Sequence, residues 1–342
     1  MKSDYEIVSI PGGKISPGAL DVLILASGFE ERAFRILCNS EFSSDAFCLL
    51  TLFDNDSEGN AEVAEKFVNC AKEKFKSERI RTCSLKLNEV YRYQAAVRKQ
   101  ILDLPSSCVN VWLDVSGFPA YAICIWLQEL RDCRPYEDLH VTYTSALEYV
   151  PSFDEYQKML KDDDLDRENT PPSMAKEMSV NMTFVPFSGH LNHEGRSCLA
   201  LFSGYELHRS AGVIENINPT QLLLIYGDPS SPNLSWRLEY SQKLHERYEK
   251  TRKSASAIVP THSIEESMAL LEEYYHYLID DFDFIVSPVC SKMHTVASFL
   301  FWEKHQEVQL TFPLPIGYKS DVKPIGCGDT LHVKLPNRVR FT

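Results

Sequence analysis

The sequence predicts an α/β protein in which two tandem lobes, related by internal duplication, each carry a mostly parallel sheet. A motif that occurs twice points there first. Leu23-Ile24-Leu25-Ala26-Ser27-Gly28-Phe29-Glu30 returns as Leu199-Ala200-Leu201-Phe202-Ser203-Gly204-Tyr205-Glu206, an apolar run followed by S-G-aromatic-E. Short apolar runs then alternate with amphipathic stretches, among them residues 61–76, 93–102 and 264–278, whose apolar positions recur at helical spacing. βαβ units produce that alternation. Runs with consecutive apolar positions, such as 21–26 and 221–226, suit strands covered by helices on both faces. The expectation is therefore a pair of Rossmann-like lobes.

The repeat is collinear along both copies. Ile10-Pro11-Gly12-Gly13 lies as far before the first S-G as Pro186-Phe187-Ser188-Gly189 lies before the second. Downstream, residues 49–54 match 222–228, 82–85 match 256–259, 111–116 match 284–289 and 141–143 match 310–312. The last pair is followed at equal distance by a tyrosine, Tyr149 and Tyr318. Between the copies, residues 161–172 (K-D-D-D-L-D-R-E-N-T-P-P) have almost no apolar content and end in prolines, so they neither pack nor continue a helix. The chain thus divides into lobe one (1–150), an acidic, proline-bearing linker (151–174), lobe two (175–320) and a tail (321–342). In the tail, residues 331–335 and 339–341 alternate like an edge strand or short hairpin.

Composition narrows the function. The 342 residues hold 35 basic and 48 acidic side chains, a formal charge of −13, which argues against broad attraction to a nucleic-acid backbone or an anionic membrane. The 10 cysteines are scattered singly, with no C-x-x-C, and the opening M-K-S-D-Y-E-I-V lacks an export signal. Reduced, mostly buried thiols and a cytoplasmic location are expected. No apolar run approaches the roughly 20 residues of a membrane span.

In an open α/β sheet, ligands bind beyond the carboxyl ends of the strands. That rule selects the loops beginning at Ser27, Asp54, Asp114 and Thr144 in lobe one, and at Ser203, Asp228, Ser287 and Pro313 in lobe two. The S-G-aromatic-E turns offer a hydroxyl, a glycine for close backbone approach and a carboxylate: Ser27, Gly28 and Glu30, then Ser203, Gly204 and Glu206. The same serine and acid also suit a helix N-terminus with no ligand present. The fourth loops contribute Asp114, Ser116 and Gly117 in one copy and Ser287, Cys290, Ser291, Lys292 and His294 in the other. Ser291 with Lys292 at a helix start combines amide hydrogens, a hydroxyl and an ammonium, the ingredients of a phosphate or carboxylate site.

Glu30 and Asp114 are the candidate acid or base groups, and Glu31, Asp54 and Asp56 could join them around Mg²⁺. The histidines His190, His193 and His208, with Glu194 and Cys198, crowd a polar loop whose counterpart in lobe one has no histidine, so no metal centre is expected there. Cys290 reads as a buried thiol, although a helix start would lower its pKa. Neither lobe carries G-x-G-x-x-G or G-x-x-x-x-G-K-[ST], and no cofactor is assigned.

The strand followed by D-V-S-G at Asp114 to Gly117, and the strand followed by S-P-V-C-S-K-M at Ser287 to Met293, resemble the loop-to-helix motif of the CRISPR-associated Rossmann fold family. The resemblance covers each lobe in outline. It implies domains paired about a two-fold axis, an oligoadenylate messenger in the shared groove, and control of an effector. Pro119 stands where the family often has a basic residue, and lobe two lacks the glycine pair. Arg134 and His140 match the loose R-x4-6-H spacing of RNA-cutting effectors, but Pro135 interrupts a helix there.

The leading expectation is a ligand-binding sensor whose paired lobes hold a nucleotide-like anion, acting in antiviral defence through a separate effector or partner protein. The alternatives are a nucleotide- or nucleoside-processing enzyme using Glu30 or Asp114, and a non-catalytic scaffold subunit. Limited proteolysis is expected to cut first within residues 161–172, and early cleavage elsewhere would contradict the linker assignment.

Overall fold

A computed structural model describes residues 5–336 apart from 17, 29, 54–59, 87–88, 134–137, 162–177, 193–194, 252, 316, 318 and 320–321. The chain runs β1 (Ile7–Ile10), β2 (Val22–Ala26), α1 (Arg35–Asn39), β3 (Phe47–Phe53), α2 (Asn60–Lys74), β4 (Ile80–Leu85), α3 (Val90–Leu102), β5 (Asn110–Asp114), α4 (Ala120–Cys133) and β6 (Asp138–Thr144). It continues through α5 (Phe153–Lys161), β7 (Met178–Met182), β8 (Ser197–Ser203), α6 (Leu207–Ile217), β9 (Gln221–Asp228), α7 (Trp236–Thr251) and β10 (Ser254–Pro260). The remaining elements are α8 (Ile264–Leu278), β11 (Asp283–Pro288), α9 (Lys292–Lys304), β12 (Gln309–Leu310), β13 (Phe312–Pro315) and β14 (Thr330–Leu335). One unit comprises Met1–Val150 with Ser320–Thr342, the other Pro151–Lys319.

The first unit holds a sheet of order β1-β14-β6-β5-β2-β3-β4, parallel from β6 to β4. The second holds β10-β9-β8-β11-β12, parallel throughout. Counted within each unit, the parallel strands follow the same Rossmann order, with β2 and β8 at the centre. Apolar side chains on both faces explain their position: every residue of β2 and of β8 is buried. The helices that follow the fourth strands, α4 and α9, are buried on nearly every residue, with Gln128 and Glu129 in one and His294, Thr295 and Ser298 in the other among mostly apolar side chains. The outer α8 shows the surface pattern instead, opening with Ser263 as cap to the Glu266 amide.

The pairing registers of the two sheets correspond pair for pair with the sequence repeat. Leu23 faces Trp112 and Leu199 faces Ile285; Leu25 faces Leu50 and Leu201 faces Leu224. Leu50 faces Thr82 as Leu224 faces Ser256, and Leu113 faces Val141 as Val286 faces Leu310.

The tail and the start of the linker differ from expectation. Thr330 to Leu335 do not form an edge strand: β14 sits between β6 and β1, antiparallel to both, and residues 339–341 lie outside the described residues. The His332 ring stacks on Trp112 beside His140, with His140 Nδ1 2.7 Å from His332 Nε2. In the second unit, β7 pairs directly with β13. Phe153–Lys161 is helix rather than linker, because Tyr156 buries its ring between Trp236 and Tyr240, at 4.8 and 5.0 Å. Residues 162–172, the rest of the expected protease site, lie outside the described residues, as do His193, Glu194, Asp54, Asp56 and Tyr318.

At the carboxyl end of β2 the backbone of Gly117 passes so close that a Cβ there would stand 2.4 Å from the Ala26 carbonyl oxygen, whereas a Cβ at Gly204 would meet nothing nearer than 3.5 Å. Gly117→Ala should therefore cost roughly 3 kcal/mol by chemical denaturation, and Gly204→Ala less than about 1 kcal/mol. Equal costs would contradict this placement.

Candidate functional site

Each sheet has its topological switch point where the chain leaves the central strand in one direction and later returns on the other side, between β2 and β5 and between β8 and β11. The motifs singled out from sequence meet at these points. Gly28 lies against Gly117, and Gly204 lies against Cys290.

In the first unit the polar groups at the strand ends satisfy one another. Ser27 donates its amide to the Thr51 carbonyl at 2.9 Å, and its hydroxyl accepts from the Phe53 amide at 3.2 Å. Glu30 forms an enclosed ion pair with Arg32. The other arm of that guanidinium donates to the Tyr143 hydroxyl at 2.8 Å and the Thr144 carbonyl at 3.2 Å. Tyr143 meets the Tyr149 hydroxyl at 3.2 Å, which accepts from the Ala146 amide. Ser116 accepts from the Thr144 amide at 2.9 Å, and the Thr144 hydroxyl meets that of Thr330 on β14 at 2.9 Å.

Asp114 belongs to the same set. One carboxylate oxygen accepts from the Ser116 amide at 3.0 Å, the other from the Thr142 hydroxyl at 3.1 Å. Burial pushes this carboxyl up to about 6, while the hydrogen bonds from Ser116 and Thr142 and the charge of Arg32 pull it down. Only 2% of Asp114 and 8% of Glu30 are exposed, so neither meets solvent as an open acid or base.

The second unit is arranged differently. Ser203 donates to the Ile225 carbonyl at 3.4 Å and Ser287 to the Thr311 carbonyl at 3.0 Å, so both hydroxyls are used inside the sheet. Glu206 again pairs with an arginine of the following helix, Arg209, at 2.9 Å. The Arg237 guanidinium lies 4.7 Å from the Tyr205 ring, and Ser241 holds the Gly204 carbonyl at 3.1 Å. Enclosure pushes the Cys290 thiol up to about 12, against the pull of Arg237 and the Gly227 backbone, so the helix start does not activate it.

Helix α9 begins here. Ser291 caps it, accepting from the His294 amide at 3.0 Å and donating to the Thr261 carbonyl. Lys292, half-buried, is its first residue. His294 is fully buried and stacked on Phe202 at 4.7 Å. Its Nε2 donates to the Pro260 carbonyl at 3.1 Å, which leaves Nδ1 as an acceptor, and Nδ1 has no hydrogen-bond partner among the described residues. Burial lowers its pKa to about 4, so the ring is neutral at pH 7. The end of β11 thus combines the amides of a 13-residue helix, an ammonium and a lone imidazole nitrogen.

Among the described residues no cluster of three or more histidine, cysteine or acidic side chains suits a metal ion, and no helix is long and apolar enough to cross a membrane. Sequence reasoning missed Arg32, Arg209 and Arg237. The first two carried a signal, an arginine two or three residues beyond each repeated glutamate.

No protein-family profile matches the chain, and no curated protein matches it. Thirteen solved chains do. One is a DNA nuclease of type III CRISPR defence activated by cyclic oligoadenylate, with 11% identity and a TM-score of 0.49 over 91% of this chain and 67% of that one. A likeness of this degree carries no functional conclusion.

Asp114 makes the first unit's stability depend on pH. Its folded carboxyl titrates near 6 against 3.8 when unfolded, so the stability it contributes is complete below about pH 4 and is lost as pH rises through 6. The loss is about 3 kcal/mol. Asp114→Asn cannot titrate, and its unfolding free energy should lack that decline between pH 4 and 7. Parallel curves for the two proteins would contradict the assignment.

Proposed function

We propose that the protein is a ligand-binding sensor that holds a nucleotide-like anion at the carboxyl end of the second unit's sheet. The observation that carries this reading is the start of α9, a 13-residue helix that opens with the half-buried Lys292 and carries, two residues on, a buried imidazole nitrogen without a hydrogen-bond partner among the described residues. Phosphate suits the ammonium and the helix dipole. Candidate contacts are Lys292 and Met293, next to Cys290, against which Gly204 lies.

In the first unit, Glu30 and Asp114 serve Arg32, Thr142 and Ser116, which favours a structural over a catalytic role for both carboxylates. That engagement weighs against the enzyme reading, whose candidate acid and base they are. We also infer that the two units arose by duplication, supported by their shared strand order and pair-for-pair register. A place in antiviral signalling, with a separate effector as partner, rests on the sequence resemblance of the two fourth loops.

The test is retention of nucleoside phosphates and cyclic oligonucleotides by the purified protein, read by native mass spectrometry. A charge-assisted contact contributes roughly 1.5–3 kcal/mol, so Lys292→Ala should weaken the retained anion by about ten- to a hundred-fold without changing the fold. Equal retention by wild type and variant would sink the assignment, as would failure to retain any member of the panel.

A further inference from the structure

Helices α1 and α2 meet along a seam of matched rungs. Phe34, just before α1, packs on Phe67 with ring centroids 3.7 Å apart, Glu41 pairs with Lys74 at 3.0 Å, and Phe42 stacks on Phe75 at 4.5 Å. Phe67, Cys70 and Lys74 recur at helical spacing along one face of α2, while on the other side Phe34 precedes α1 and Glu41 and Phe42 follow it, bracketing Cys38. The remaining rung is Cys38 opposite Cys70, with the sulfur atoms 2.9 Å apart. Both are free thiols, Cys38 exposed and Cys70 half-buried.

We propose that Cys38 and Cys70 are a site of oxidation that closes to an intramolecular disulfide in the presence of a low-molecular-weight disulfide such as oxidised glutathione. The aromatic rungs on either side bracket the pair, and the two sulfur atoms already face each other at 2.9 Å. Cys38 is the group an oxidant reaches. Its thiolate attacks one sulfur of oxidised glutathione, the S–S bond breaks, one glutathione leaves as thiolate and a mixed disulfide remains on Cys38.

Cys70 then completes the exchange. Burial and the neighbouring Cys38 hold its thiol up, to about 12, in the reduced protein, with Lys74 pulling it down. Once Cys38 is capped, its share of that effect is gone. Cys70 gives its proton to solvent and attacks the Cys38 sulfur, forming the protein disulfide and expelling the second glutathione. Two protein thiols are oxidised and one glutathione disulfide is reduced to two thiols. The bond would fasten α1, which follows the Glu30–Arg32 pair directly, to α2.

The experiment treats the reduced full-length chain with excess oxidised glutathione, then reads intact mass and a non-reducing peptide map after alkylation of free thiols. The expected product has lost two hydrogens, contains a peptide pair linked through Cys38 and Cys70, and reverts with a dithiol reductant. Cys70→Ser should stop at the intermediate and carry one glutathionyl group on Cys38. Cys38→Ser, an exposed substitution, should leave Cys70 open to alkylation. A stable glutathionyl adduct on Cys38 in the wild type, or Cys70 bridged to another cysteine such as Cys48, would overturn the proposal.

Discussion

The contact between the backbones that end β2 and lead out of β5 constrains everything built at the first unit's switch point. Gly117 passes beneath the Ala26 carbonyl where no side chain fits, and Gly28 rests on Gly117 from the other loop. Because neither position carries a Cβ, the two loops approach to backbone distance, and Glu30 and Ser116 are delivered to a common layer. The second unit reaches a similar end by exchanging volume. Cys290 stands where Gly117 does in the repeat, and Gly227 gives up the space, since a Cβ there would lie 2.7 Å from the Cys290 sulfur. The tight place moves one strand across, and Gly204 is left with ordinary room.

That exchange goes with different fates for the polar groups above it. In the first unit an enclosed guanidinium gathers Glu30, Tyr143 and the Thr144 carbonyl, and β14 adds Thr330 from far along the chain. A buried network of this kind stabilises only when every member is satisfied. Its arginine is matched by its own glutamate, which leaves little net charge for a ligand. In the second unit the corresponding serines turn into the sheet, Arg209 is matched by Glu206, and the buried Nδ1 of His294 on α9 has no hydrogen-bond partner among the described residues. The proposed oxidation site belongs to the first unit, on the seam that packs α1 against α2.

Much of the architecture was legible in the sequence because sheet registers follow apolar runs, and those runs repeat. Matching Ser27 with Ser203 and Val141 with Leu310 aligns the chains as the hydrogen bonds align the strands. The candidate loops were legible too, since the carboxyl ends of strands follow from strand order. Which of their groups remain available was not. Ser116, Ser203, Ser287 and Ser291 are chemically alike, and their partners are carbonyls and amides brought up by other strands and helices.

The sequence by itself determined the α/β class, the doubled motif, the strand runs and the placement of Lys292 at a helix start, because periodicity and turn residues act over short distances. Tertiary structure alone decided the rest. Thr330 and His332 join a sheet whose other strands lie within the first 150 residues. Phe153–Lys161 became helix because Tyr156 found Trp236 and Tyr240. Glu30 became an ion-pair partner, and Cys38 came to face Cys70 across the seam. Each of these outcomes depends on a contact between segments distant in the chain, and no local pattern encodes which distant segment arrives.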